Sequence, residues 1–216
     1  MTDRQLQENV LAALDWEPSL DITEVGVTVD QGVVTLRGDV KTFSEKATAE
    51  RVTLGVYGVK AVANDLTVRI GNGLERTDSE IALAAVNALK WNSQVPTGAV
   101  AVTVSRGWVT LKGELDWNYQ KEAAGRAVRD LIGVVGVANN LAVHPRVSVE
   151  DVESKIEAAL KRSAEVDARR IHVSAMDGKV VLTGNVRSWA EREEARHAAW
   201  AARGVKDVDD RIAITP

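Results

Sequence analysis

Val25-Gly26-Val27-Thr28-Val29, Asp30-Gln31-Gly32 and Val33-Val34-Thr35-Leu36-Arg37-Gly38 form the stretch from which the fold is read. Two runs of alternating apolar and polar residues flank a short turn ending in glycine, which is the pattern of a β-hairpin. Val25, Val27 and Val29 on the first run, and Val34 and Leu36 on the second, point to a core. The same arrangement returns around Gly107, as Val100-Ala101-Val102-Thr103-Val104 before it and Trp108-Val109-Thr110-Leu111-Lys112-Gly113 after it. It returns again around Gly178, between Ile171-His172-Val173-Ser174-Ala175 and Lys179-Val180-Val181-Leu182-Thr183-Gly184.

Working outward, a second shared block follows each hairpin. Gly58-Val59 precedes Val62-Ala63-Asn64-Asp65-Leu66-Thr67-Val68, and Gly133-Val134 precedes Val137-Ala138-Asn139-Asn140-Leu141-Ala142-Val143. The third copy is Gly204-Val205 with Val208-Asp209-Asp210-Arg211-Ile212-Ala213-Ile214. A spacing of about 71–75 residues is too long for a solenoid and suits small domains in tandem. The expected domains are residues 1–70, 77–145 and 147–216.

Each repeat opens with a helical pattern. Ile81, Ala85, Ala88 and Leu89 fall on one helical face, and Thr2-Asp3, Asp78-Ser79 and Ser148 resemble helix caps. A second helix is predicted from capping boxes at Thr42…Glu45 and Ser188…Glu191; Trp117-Asn118-Tyr119-Gln120 breaks the box in the middle repeat. That helix is expected to stop near Gly58, Gly133 and Gly204. With a closing strand the order is αββαβ. A right-handed crossover then sets the last strand parallel to a hairpin strand. The predicted class is α+β: three tandem domains, each a three-stranded mixed sheet with two helices on one face.

These blocks, V-x-V followed by G-x-V-x-L-x-G and then G-V-x-x-V-x-N-x-L-x-V, resemble the BON domain family, the bacterial osmotically-inducible and nodulation or transport-associated domain. The resemblance covers nearly the whole chain, three times. It implies non-enzymatic modules associated with the envelope or with osmotic stress, which bind phospholipid or other ligands and mediate protein contacts. Asp210 departs from the pattern, replacing the Asn of the other two copies. Many members are periplasmic, whereas Met1-Thr2-Asp3-Arg4-Gln5-Leu6 has neither the basic start nor the apolar run of a signal peptide. The expectation is a cytoplasmic protein as written, or a periplasmic one if a leader has been removed.

Composition narrows the chemistry. The 27 basic and 31 acidic residues offer no broad cationic surface for a nucleic-acid backbone. Absence of cysteine removes thiolate ligands and thiol nucleophiles. His144, His172 and His197 lie far apart in sequence, and no G-x-S-x-G elbow occurs. Gly71-Asn72-Gly73-Leu74-Glu75-Arg76 starts like a dinucleotide loop, but its sixth position is Arg, so it reads as a linker. No catalytic, metal or cofactor site is expected.

Two residue sets remain. Gly32, Gly38, Gly107, Gly113, Gly178 and Gly184 are expected to be structural, as are Asn64, Asn139 and Asp210, whose polar side chains should hold a bulge or turn. Trp16 and Trp91 end the first helices of two repeats, and repetition predicts packing against a neighbouring element. Trp108 falls out of the inward phase and should face outward, either as an interface anchor or covered by another repeat of the same chain. Trp108, Trp117, Tyr119, Lys121, Arg126 and Arg129 make the middle repeat the candidate contact for an anionic ligand, a phospholipid surface or another protein. Self-assembly into a homo-oligomer is the alternative.

Overall fold

In the computed structural model the described residues are 1–71, 73, 75–144, 152–163 and 168–215. Ser148, part of both linkers and the start of the third repeat lie outside them. The chain divides into two compact units, Met1–Lys112 with Ala123–Asn140, and Gly113–Glu122 with Leu141–Pro216. The division passes through the middle repeat.

The first repeat shows why these residues fold as they do. Helix α1 (Asp3–Asp15) begins at a reciprocal capping box, in which Thr2 Oγ1 accepts from Gln5 N and Gln5 Oε1 accepts from Thr2 N. Its apolar positions Leu6, Val10 and Leu14 recur every four residues and are all buried. Strands β1 (Val25–Asp30) and β2 (Val33–Val40) pair antiparallel, with Val27 opposite Leu36. Helix α2 (Phe43–Leu54) crosses back, and β3 (Ala61–Val68) lies parallel to β2, with Val34 opposite Val62. β2 is therefore the central strand. Val34, Leu36 and Val40 point to the helices and are buried, while Arg37 points away and is exposed. Each such burial stabilises by roughly 1.5–3 kcal/mol.

The middle repeat repeats this order through α3 (Asp78–Trp91), β4 (Val100–Ser105), β5 (Trp108–Leu115), α4 (Asn118–Arg129) and β6 (Gly136–Val143). The third runs through α5 (Val152–Arg162), a short 3-10 turn, β7 (Ile171–Met176), β8 (Lys179–Val186), α6 (Trp189–Trp200) and β9 (Asp207–Ile214). Its core gathers Ile156 and Leu160 from α5, Val180 and Leu182 from β8, Ala195 and Ala199 from α6, and Ile212 from β9. Among the described residues there are three separate three-stranded sheets, β1-β2-β3, β4-β5-β6 and β7-β8-β9. The protein is α+β, three tandem αββαβ domains.

Several local expectations are corrected. The cap of α3 is Thr77, boxed with Glu80, and not Asp78-Ser79. Asp78 does something else: its carboxylate accepts from the amides of Arg106 (2.8 Å) and Gly107 (2.9 Å) in the hairpin turn. Asp3 holds Gln31 and Gly32 in the same way. Both central residues of these two-residue turns have positive φ, 51° and 83° in the first repeat, which glycine adopts without strain. The second helices stop at Gly55 and Ala201, a few residues before the predicted glycines. Gly58 and Gly204 instead take positive φ in the turn leading to the last strand.

Gly38 and Gly184 sit inside their strands rather than at the ends. Gly38 pairs with Val25 at φ 120°, and a Cβ there would collide with the Glu24 carbonyl. Gly184 pairs with Ile171 at φ 129° and would meet the Arg170 carbonyl. Gly113 has a φ of 146°.

Candidate functional site

Asn64 and Asp210 each make the expected local bond, their Oδ1 atoms accepting from the amides two residues on, Leu66 N at 3.4 Å and Ile212 N at 3.0 Å. The same two side chains also tie the last strand to the second helix. Asn64 Nδ2 donates to the Lys46 carbonyl (3.0 Å) and to Glu50 Oε2 (3.0 Å) on α2, and Lys46 Nζ donates back to the Leu66 carbonyl (2.7 Å). In the third domain Asp210 accepts from Arg192 Nε at 2.8 Å, while Arg192 Nη2 also reaches the Asp210 carbonyl. Arg192 is the counterpart of Lys46 and of Lys121. The replacement of Asn by Asp thus accompanies an arginine able to neutralise it. In the middle domain Asn139 lies against Gly125, where a Cβ would come within 2.9 Å of its side-chain nitrogen.

The predicted basic strip is occupied. Arg129 pairs with Asp130 at 3.3 Å, and Asp130 also accepts from Ser44 Oγ at 2.8 Å within the first unit. Lys121 and Arg126 have partners of their own. None of the three is a cation waiting for an anionic ligand.

Aromatic residues are the exposed feature. Trp16 and Trp91 were expected to pack on a neighbour, but they are 88% and 86% exposed at the ends of α1 and α3. The cause is position: buried Leu14 and Leu89 set the inward faces of these helices, and the next residues but one turn away from them. Trp108 faces outward on its strand and is 54% exposed. Its ring lies over Gly136 of the neighbouring strand, where a Cβ would come within 2.6 Å of the indole. Trp117 belongs beyond the opposite end of β5 from Trp108, at the start of α4.

There the second unit forms a groove of about 430 Å³, lined by Trp117, Asn118, Tyr119 and Glu122 together with His197 and Trp200. The Trp117 and Tyr119 rings are 6.4 Å apart with their planes inclined at 34°, an open wedge rather than a stack. Gln120 retains half of the missing capping box, its Oε1 accepting from Trp117 N at 3.1 Å. Asn118 Nδ2 donates to Glu122 Oε1 at 3.0 Å and orients that carboxylate. Trp200 packs on the third domain's core. Sequence reading finds Trp117 and Tyr119 because they interrupt a repeated cap. It misses Glu122, His197 and Trp200, since no repeat pattern connects α4 with α6.

A second hollow, of about 320 Å³, lies in the first domain. Both of its cations are paired, Lys41 with Asp21 at 2.7 Å and Arg69 with Asp39 at 3.0 Å, and Glu24 and Glu45 leave its lining acidic. The hydrogen bond from the Lys41 ammonium holds the Asp21 carboxyl well below the usual carboxylate range. Among the described residues no three of His, Cys, Asp and Glu gather as a metal site requires, and no helix is long and apolar enough to cross a membrane.

The fold and the repeated blocks define a tandem array of one small α+β module. The BON domain pattern matches residues 2–70, 77–145 and 148–216, and the chain belongs to the BON domain family. It is 32% identical over 149 residues to osmotically-inducible protein Y of Escherichia coli (strain K12), a match spanning 65% of this chain and 72% of that protein. Among solved structures it resembles CdsD, a structural protein of the type III secretion system of Chlamydia trachomatis. That likeness is 16% identical with a TM-score of 0.28, covering 98% of this chain and 93% of the other. The PrgH periplasmic domain is 12% identical with a TM-score of 0.22, over 95% and 100%. Structural likeness at that level says nothing about assembly.

Proposed function

We propose that this chain is a non-catalytic binding and scaffold protein of the osmotic stress response, acting at the cell envelope, whose solvent-facing indoles contact a phospholipid surface. The stress association is supported by family membership and by the named relative. The observation that carries the contact is the near-complete exposure of Trp16 and Trp91 at equivalent helix ends. α3 also leaves Leu83 and Val86 in solvent. Large apolar side chains that fold into water at repeated positions mark a surface that something else covers. An indole combines an apolar body with a donor N–H and suits the boundary between headgroup and acyl chain. Because the candidate basic residues are engaged, attachment rests on apolar burial and depends little on salt or on anionic lipid.

Sedimentation with vesicles, with and without anionic lipid, tests this beside light scattering. The double variant Trp16→Ser with Trp91→Ser keeps the wild-type melting temperature, since both rings are exposed, and loses vesicle affinity by at least about tenfold. Unchanged vesicle binding by the double variant refutes the reading. A second reading, self-assembly, is favoured by the open edges of β1 and β3, the outer strands of their sheet. It predicts a scattering mass above the 23.3 kDa of one chain in wild type and double variant alike.

A further inference from the structure

Beyond the surface contact proposed above, we infer that the groove between the start of α4 and the end of α6 binds a quaternary ammonium group. Its walls carry three aromatic side chains, Trp117, Tyr119 and Trp200, with the Glu122 carboxylate on the same rim. No Lys or Arg lines it. This is the reverse of the charge expected from the sequence, where Lys121, Arg126 and Arg129 point to an anion. Ring faces carry negative potential and attract a cation within about 6 Å of the centroid, and aromatic cages recognise methylated ammonium in this way. A methylated ammonium has no N–H donors, so it needs apolar, polarisable walls more than hydrogen-bond acceptors.

The open wedge between Trp117 and Tyr119 presents two ring faces at different angles, as a rounded cation requires. The wedge is also held in place. The Gln120 side chain, itself buried, fixes the Trp117 backbone, and Asn118 fixes Glu122. The fold uses the same attraction internally, with the Arg192 guanidinium 4.8 Å above the Trp189 ring in the third domain. The group can arrive as a free small molecule or as the choline headgroup of a phospholipid.

The test titrates the full chain with choline chloride and, separately, with dimethylbutanol, its neutral carbon isostere, reading tryptophan fluorescence and calorimetric heat. Vesicles of phosphatidylcholine and of phosphatidylglycerol form two further arms. Choline is expected to saturate the site and to bind about tenfold tighter than the isostere. Tyr119→Ala and Glu122→Gln each weaken it several-fold while the melting temperature holds. Trp200 is left intact because it packs on a core. Saturation by free choline identifies a soluble ligand. Binding to phosphatidylcholine vesicles alone, lost in Tyr119→Ala, identifies the headgroup. Equal affinity for choline and the isostere overturns the inference, as does failure of choline to bind when phosphatidylcholine binding is absent or survives in Tyr119→Ala. Trp16→Ser with Trp91→Ser leaves choline affinity unchanged, so failure at the surface indoles and failure at the groove are told apart.

Discussion

Replacing Gly38 by alanine tests how tightly the hairpin is built. At φ 120° an L side chain is strained, and the Glu24 carbonyl carbon would lie 2.9 Å from the new Cβ with its oxygen nearer still. The obstacle is backbone of the adjoining chain, held in place because Val25 pairs with Gly38 and Asp39 N donates to that same Glu24 carbonyl. Backbone strain of this kind costs about 1–3 kcal/mol and overpacking adds about 1–3 more. The loss of unfolded-state freedom returns about 0.4–1 kcal/mol. A net destabilisation of about 3 kcal/mol is a large part of what a domain of this size commands, at roughly 0.05–0.15 kcal/mol per residue. With about 4–8 °C lost per kcal/mol, the first domain should melt at least about 10 °C lower. Scanning calorimetry of the full chain detects the shifted transition. Hydrogen exchange on peptides from residues 25–40, read against peptides from the third domain, assigns it. Gly71→Ala is the control, because nothing lies within 4 Å of that position. A Gly38→Ala protein that melts like the control refutes the reasoning.

Two further outcomes are expected. Arg192 and Asp210 are mostly covered, with side chains 23% and 13% exposed. Arg192→Met should therefore cost about 1–3 kcal/mol by leaving Asp210 without its partner. Asp210→Asn, which restores the residue of the other repeats, should cost clearly less in urea unfolding; the reverse order would count against the pairing described. For Asp78, hydrogen bonds from the Gly107 and Arg106 amides lower the pKa of its carboxyl. Its contribution is therefore complete above the ordinary carboxylate value of about 3.9 and fades as pH falls through the lowered one. Asp78→Asn should lower the melting temperature at pH 7 and match wild type in strong acid, and a difference that persists in acid would exclude the carboxylate as its cause.

Strand phase and repeat spacing made the fold readable, because residues such as Val34, Leu36, Val109 and Leu111 alternate so regularly that only one face can be buried. Capping chemistry was readable to within a residue: Thr42 and Ser188 accept as predicted, but Glu45 and Glu191 reach the amides of Lys41 and Arg187 rather than the cap's own. What stayed hidden were contacts between residues far apart in sequence. Asp3 and Asp78 looked like cap residues because the turns they hold lie 28–29 positions away. Trp16 and Trp91 looked buried because repetition is shared by core positions and contact positions alike. The groove was half legible, through Trp117 and Tyr119, and its other wall comes from a helix of the next repeat.

The face of each sheet turned away from the helices carries, at the start of its central strand, a cross-strand pair that differs in each of the three repeats. Val33 stands beside Ala61, the Trp108 ring covers Gly136, and Lys179 reaches Asp207 at 3.9 Å. Large meets small, or plus meets minus, and each choice makes sense only with its own neighbour. The pair, and not the single residue, is therefore the unit that can be exchanged between repeats. A chimera that moves a hairpin without its closing strand would set an indole against a carboxylate, or a lysine over bare backbone. Grafts cut after the closing strand keep each match intact and leave the helix-facing core, common to all three, undisturbed.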